Sequence, residues 1–304
     1  MKKLFSKLGY FIVSMLPGIV YILLQLTISV GVVFFLAFYI SFSQADSGID
    51  LSQGQLMQQV LDVYNGNLTL IILLVQLAGL IIFGLWYYLA YGRKNPPADR
   101  EKPGIKAFVV VIVAGIFLQC FVSSILSLID ACFPNALNSY KELMEQSGLM
   151  EETLLSFLCA SFLAPIGEEM LCRGITFRLA GKVSMRFWVA NCIQAFAFGL
   201  IHLNLVQGCY AFFLGLVLGY IYGKYRNIFV CMLMHASVNA SSHLMELLWA
   251  QFPEGSEMAV YAVGIVLSAV LLLAGYLILG KIKPLEEDGI SFPATRQKWK
   301  EKAV

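Results

Sequence analysis

Charge is the scarcest property of this sequence. Asp, Glu, Lys and Arg make up only 13% of the 304 residues, whereas 59% are hydrophobic. A soluble domain carries about a quarter charged residues, so most of this chain is not built for water. The net charge of +2 leaves no electrostatic case for nucleic-acid binding. Cysteine is present without the patterns that give it a job. None of the seven forms a C-x-x-C pair, and Cys120, Cys159, Cys172, Cys192 and Cys231 sit inside apolar stretches. There they read as small hydrophobes and not as a disulfide framework. Internal repeats and low-complexity tracts are absent as well. The lack of a repeat counts against the many transporter folds built from duplicated halves.

What the chain has instead is long apolar runs. A bilayer core takes about 20 apolar residues per helix. Eight runs qualify, at roughly 10–42, 68–91, 105–129, 153–177, 187–207, 208–224, 228–249 and 258–281. The expected fold is therefore all-α, a polytopic membrane bundle of about eight transmembrane helices. The first run is far longer than a signal-peptide core and is read as a retained membrane helix, with Pro17 a kink or first-turn marker. Residues 43–66 read as a polar outer loop, 92–104 as an inner loop and 282–304 as a charged tail. The short sixth run holds a G-x-x-x-G pair, Gly215 and Gly219, suited to close helix packing. Three regions follow: helices one to three with polar loops (1–150), a helical core (151–250), and a last helix with its tail (251–304).

Basic residues alternate with the runs. Lys2, Lys3 and Lys7, then Arg93 to Lys106, Arg178 to Arg186, Lys224 with Arg226, and the tail from Lys281 fall on one side of an eight-span chain. Lys141 is the only basic residue in the opposite loops, which carry Asp46, Asp50, Asp62, Glu142, Glu145, Glu151, Glu152, Glu254 and Glu257 instead. The positive-inside rule then puts both termini in the cytoplasm. The expected location is the plasma membrane of a bacterial cell.

Ionisable groups within membrane helices are costly and usually functional. Here they cluster. The fourth run has Glu168, Glu169 and Arg173, the fifth has His202, and the seventh has His235 with Asn239. Glu169 and Arg173 stand at i and i+4 with the acid first, the better order for an ion pair. Glu168 lies about 100° around the helix from Glu169 and cannot share that arginine equally. The spacing thus divides the two acids: Glu169 supports, and Glu168 is free for a partner and for general-base work. Phe198 lies one turn before His202, where it can pack beside the site. His235 and Asn239 share a face. A lone buried histidine is more often a satisfied core residue, and a lone Glu–Arg pair is more often a helix clamp. Asn239 alone could be interhelical glue. His243 and Glu246, near the membrane edge, read as structural. Two Glu, two His and an Asn on three spans are harder to assign to chance.

Together these residues resemble a known family. Glu168-Glu169-x-x-x-Arg173, Phe198-x-x-x-His202 and His235-x-x-x-Asn239, in that order, are similar to the three motifs of the CPBP family. That family comprises CAAX proteases and bacteriocin-processing enzymes, also called the Abi or type II CAAX prenyl endopeptidase family. The resemblance covers about residues 150–245. It implies an eight-helix intramembrane endopeptidase, here read as acting on membrane-associated or membrane-delivered peptide or protein substrates. It implies that Glu168 activates water with His202 beside it, that His235 and Asn239 meet the developing oxyanion, and that Glu169 and Arg173 support them. Two chemistries stay open. Glu168, His202 and His235 are a plausible zinc set with an open position, and a metal-free site needs no further ligands. A proton-coupled transporter and a catalytically silent immunity or binding protein are the rival readings. Oligomeric state is not legible in the sequence. One tension stands within this reading: the drawn spans put His202 on the order of 10 Å in depth from Glu168 and His235, and either a fifth helix starting near Asn191, the preferred reading, or helix tilt with a bend at Pro165 would close that gap.

Overall fold

A computed structural model of the chain describes residues 2–46, 52–92, 104–133, 135–146, 153–184, 186–249, 251 and 257–281. The inner-loop residues Arg93 to Lys102, the acids Glu151, Glu152 and Glu254, and the tail from 282 onward lie outside them. The described residues form helices joined by short turns, with no strand among them, as a backbone in hydrocarbon must when no sheet closes on itself. In chain order the helices are α1 (Lys2–Asp46), α2 (Gln53–Asn65) and α3 (Leu68–Tyr87, continued by a π turn, Tyr88–Gly92). Then come α4 (Ile105–Cys132), α5 (Asn138–Gln146) and α6 (Leu154–Val183). The last four are α7 (Phe187–Leu200), α8 (Leu205–Tyr225), α9 (Ile228–Trp249) and α10 (Glu257–Lys281).

Six helices are long and apolar enough to cross a membrane, among the described residues: α1, α3, α4, α6, α8 and α10. The expected fifth span contains a shorter apolar helix, α7, of 14 residues, and the expected seventh span is α9, of 22 residues. The polar stretch expected as an outer loop contains α2. Its start is fixed by a capping box, in which the Ser52 hydroxyl accepts from the Gln55 backbone N–H and the Gln55 side chain accepts from that of Ser52. Pro17 is accommodated inside α1, which runs 45 residues.

The core lies where α6, α7, α8 and α9 pack together, with α1, α3 and α4 around them. Small residues set the closest approaches. A Cβ on Gly115 of α4 would stand 2.8 Å from the Met234 carbonyl oxygen of α9. One on Gly199 of α7 would stand 2.6 Å from the Gly208 carbonyl oxygen of α8. Gly215 and Gly219 serve the same α7–α8 contact, against Ala195 and Asn191. By contrast α1 and α10 present exposed Phe, Leu and Val side chains along their length, the surface a lipid bilayer covers.

Candidate active site

Helix α6 carries the two glutamates and is not regular. It winds as a π-helix over Cys159–Leu163, as an α-helix over Ala164–Glu169, and as a π-helix again over Met170–Thr176. π-Segments inside helices are uncommon and recur at functional sites. The first one has a local cause. The Ala164 N–H reaches back five residues, to the Cys159 carbonyl. The next residue is Pro165, which has no N–H to offer. The carbonyl of Ala160 is thereby left without a donor at either i+4 or i+5. Asn239 of α9 supplies one, its Nδ2 donating to the Ala160 oxygen at 2.9 Å. A proline in one helix and an amide in another thus fix the bulge that presents Glu168 and Glu169.

Glu169 and Arg173 are both fully buried. Arg173 donates to Glu169 Oε1 at 2.8 Å and, with its other terminal nitrogen, to the Gly215 carbonyl at 3.0 Å. The sequence-based pairing of these two residues is present, and it is wider than a helix clamp. The same Oε1 accepts from His235 Nδ1 at 2.9 Å. A carboxylate accepts only, so Nδ1 is the protonated nitrogen of that contact and Nε2 points away from it. Nε2 lies 3.7 Å from Glu168 Oε2. Glu168 is therefore the acid that keeps some exposure, 14% of its side chain against none for Glu169. Glu169 orients the imidazole that Glu168 faces.

His202 does not sit where the drawn spans put it. Helix α7 starts at Phe187, not near Asn191, and ends at Leu200 after 14 residues, about 21 Å of rise. The chain reverses at once, over residues 201–204 and not at 206–208. Leu203 adopts a left-handed conformation (φ 54°), and the Asn204 side chain caps α8 by accepting from the Gln207 N–H at 3.0 Å. His202 is thus at the tip of a helical hairpin packed into the bundle, and this placement removes the expected depth gap. Its Nδ1 bonds the Phe198 carbonyl at 2.9 Å. A carbonyl cannot donate, so Nδ1 carries the proton and the Nε2 lone pair is free. Phe198 holds the cluster together. Its ring meets His202 edge-on at 5.1 Å and His235 at 5.5 Å, with the Arg173 guanidinium 4.9 Å from its centroid. The imidazole of His202 also interacts electrostatically with Glu168 and His235.

Sequence reasoning missed several polar residues here. Gln194 donates to the Gly215 carbonyl at 2.8 Å and to Asn191 Oδ1 at 2.7 Å, and Asn191 donates to the Leu216 carbonyl at 2.9 Å. Both amides are fully buried. Their signal was available, since two uncharged amides within an apolar run need partners as much as charges do. A cavity also opens beside Glu168, lined by Tyr21 of α1 and by Gln76, Gly79 and Phe83 of α3. The site thus draws on helices ahead of its motifs. The side chains of His243 and Glu246 lie outside the described residues.

Nε2 of His202, Nε2 of His235 and a Glu168 oxygen have the right chemistry for zinc. Among the described residues, however, no three His, Cys, Asp or Glu side chains are gathered closely enough to hold a metal ion. No cofactor is established.

No curated protein and no solved structure matches the chain. Residues 150–241 match the family model described as type II CAAX prenyl endopeptidase Rce1-like. The matched stretch contains Glu168, Glu169, Arg173, Phe198, His202, His235 and Asn239, and it covers less than half of the chain. The polar centre thus lies within the stretch that matches the Rce1-like type II CAAX prenyl endopeptidase family model.

Proposed function

We propose that the protein is an intramembrane endopeptidase in which Glu168 activates water against a peptide bond of a membrane-delivered substrate. One observation carries this reading. Glu168, the partly exposed acid, faces an imidazole whose far side is locked by the buried Glu169–Arg173 pair. A structural ion pair alone would not leave a second carboxylate open to a cavity.

The chemistry follows from the free atoms. Water donates one hydrogen to Glu168 and the other to the Nε2 lone pair of His202. As Glu168 takes its proton, the water oxygen attacks the carbonyl carbon, and the carbonyl electrons move onto oxygen. That oxyanion meets Nε2 of His235. With a proton on that nitrogen, the four charges of Glu168, Glu169, Arg173 and His235 balance, which suits burial in hydrocarbon. Asn239 has two N–H groups. One is held by the Ala160 carbonyl, and the second is the other oxyanion donor. Collapse of the tetrahedral intermediate breaks the C–N bond, and Glu168 returns its proton to the leaving amine. The resting gap of 3.7 Å between Glu168 and His235 is one that the substrate carbonyl must open.

The basic segments support an orientation with both termini cytoplasmic. That inference is insensitive to how deep the α7–α8 hairpin reaches, because both of its legs return to one side. The reading is tested by comparing membrane proteomes from cells carrying wild type and Glu168→Gln. The expected result is a set of cleaved peptide ends found only with the wild type, at equal levels of folded protein. Identical peptide ends, or a change only in ion flux, would replace the peptidase reading by a binding or transport one.

A further inference from the structure

Apart from the polar centre, helix α6 carries one more unusual cation. Arg178 is half-buried. Its Nη2 donates to the Tyr222 hydroxyl of α8 at 3.1 Å. Its guanidinium lies 5.0 Å from the ring centroid of Tyr91 and 5.9 Å from that of Tyr87, both at the end of α3. Its Nε is buried with no hydrogen-bond partner. Among the described residues no carboxylate pairs with it. Three aromatic rings recover only part of the cost of taking a guanidinium out of water, so this cation stands short of a counter-charge.

Position identifies the missing anion. The membrane-crossing stretches of α3 and α6 end at Tyr91 and Val183, so Arg178 and its tyrosine box lie at one edge of the bilayer, within snorkelling reach of the headgroups. Lys182 follows one turn along α6 and is exposed. Beside the box, Tyr88 and Leu89 are also exposed, the apolar surface on which an acyl chain rests. We propose that Arg178, boxed by Tyr87, Tyr91 and Tyr222, binds the phosphate of an anionic phospholipid. The planar guanidinium matches two phosphate oxygens, and the buried Tyr222 hydroxyl, which accepts from Arg178 Nη2, holds it in place from behind. The bound headgroup ties the end of α3 to α6, the helix that carries Glu168. This site does not depend on the peptidase reading.

The test uses full-length protein in mild detergent, mixed with equal amounts of phosphatidylglycerol and phosphatidylcholine of matched chains. Native mass spectrometry counts the bound lipid. Wild type is expected to retain phosphatidylglycerol selectively, and Arg178→Gln to lose that retention by about tenfold or more. Arg178→Lys keeps the charge without the planar fork and is expected to fall between them, which also covers a Gln variant that fails to fold. Lys182→Gln, which removes an exposed neighbouring charge, is expected to keep most of the lipid. Equal losses from Arg178→Gln and Lys182→Gln would overturn the proposal in favour of diffuse surface charge. Displacement of the lipid by millimolar inorganic phosphate would overturn the lipid assignment in favour of a soluble anion. Unchanged retention in both Arg178 variants would remove the site altogether.

Discussion

Glu169 does more than neutralise Arg173. Its Oε1 accepts from both Arg173 and His235, and all three groups are out of contact with solvent. Removing one member leaves the others as uncompensated polar groups in hydrocarbon, which costs more than the pair contributes when intact. Glu169→Gln is therefore expected to lower stability by about 3–5 kcal/mol, read by chemical unfolding in detergent. Arg173→Lys is expected not to rescue function, because a lysine cannot reach Glu169 and the Gly215 carbonyl with two separate nitrogens. Glu168→Gln is expected to behave differently, with stability within about 0.5 kcal/mol of wild type and peptide cleavage lost. The division between the two acids was legible from spacing alone, because i and i+4 pairing assigns Arg173 to Glu169. That Glu169 also holds His235 was not legible, since it depends on the packing of α6 against α9.

At the scale of the element, the geometry of the candidate site rests on irregular winding. Pro165 removes one N–H, the π-segment leaves the Ala160 carbonyl orphaned, and Asn239 satisfies it. Pro165→Ala restores an N–H and allows α6 to close into a regular helix. Each residue of register turns the helix by about 100°, so Glu168 would leave the face of His235. The expected outcome is a loss of cleavage of about a hundredfold or more with thermal stability unchanged or raised, compared by cleavage assay and melting curve on one preparation. Asn239→Ala is expected to lose both, with stability down by about 1–3 kcal/mol and turnover by roughly a hundredfold. A stability loss with full turnover would reduce Asn239 to a positioning residue. The sequence shows the proline and the asparagine but not their connection, because they lie 74 residues apart in number and meet only in the fold. The α7–α8 reversal was hidden for a similar reason. His202, Leu203 and Asn204 contain no Gly or Pro, and Asn204 as a cap was the available signal. Gly199→Ala tests that hairpin. Its new methyl would stand 2.6 Å from the Gly208 carbonyl oxygen, so the helices must part and His202 must move. Overpacking of this kind costs about 1–3 kcal/mol.

For the whole molecule, scarcity of charge was the most informative property of the sequence. It pointed to the membrane class, and the few buried charges then pointed to the candidate site. Six of the expected spans appear as long apolar helices among the described residues, while α7 runs 14 residues and α9 runs 22. Apolar runs show where a helix can lie in lipid but not where the chain turns back, and the α7–α8 reversal was read in the wrong place for that reason. The proposed orientation rests on the basic segments. Reporter fusions at the two ends are expected to give the same cytoplasmic signal, and opposite signals would mean that one apolar helix does not cross as assigned. The contributions of Tyr21 and Gln76 to the Glu168 cavity come from helices outside the matched family segment, so the complete site belongs to the bundle and not to residues 150–241 alone. The most direct test of the account is isotopic. Membranes carrying the wild type or Glu168→Gln are incubated in heavy-oxygen water, and new peptide carboxyl termini are read by mass spectrometry. The account predicts heavy oxygen in new termini with the wild type and none with the variant. The same labelled termini in both would contradict it.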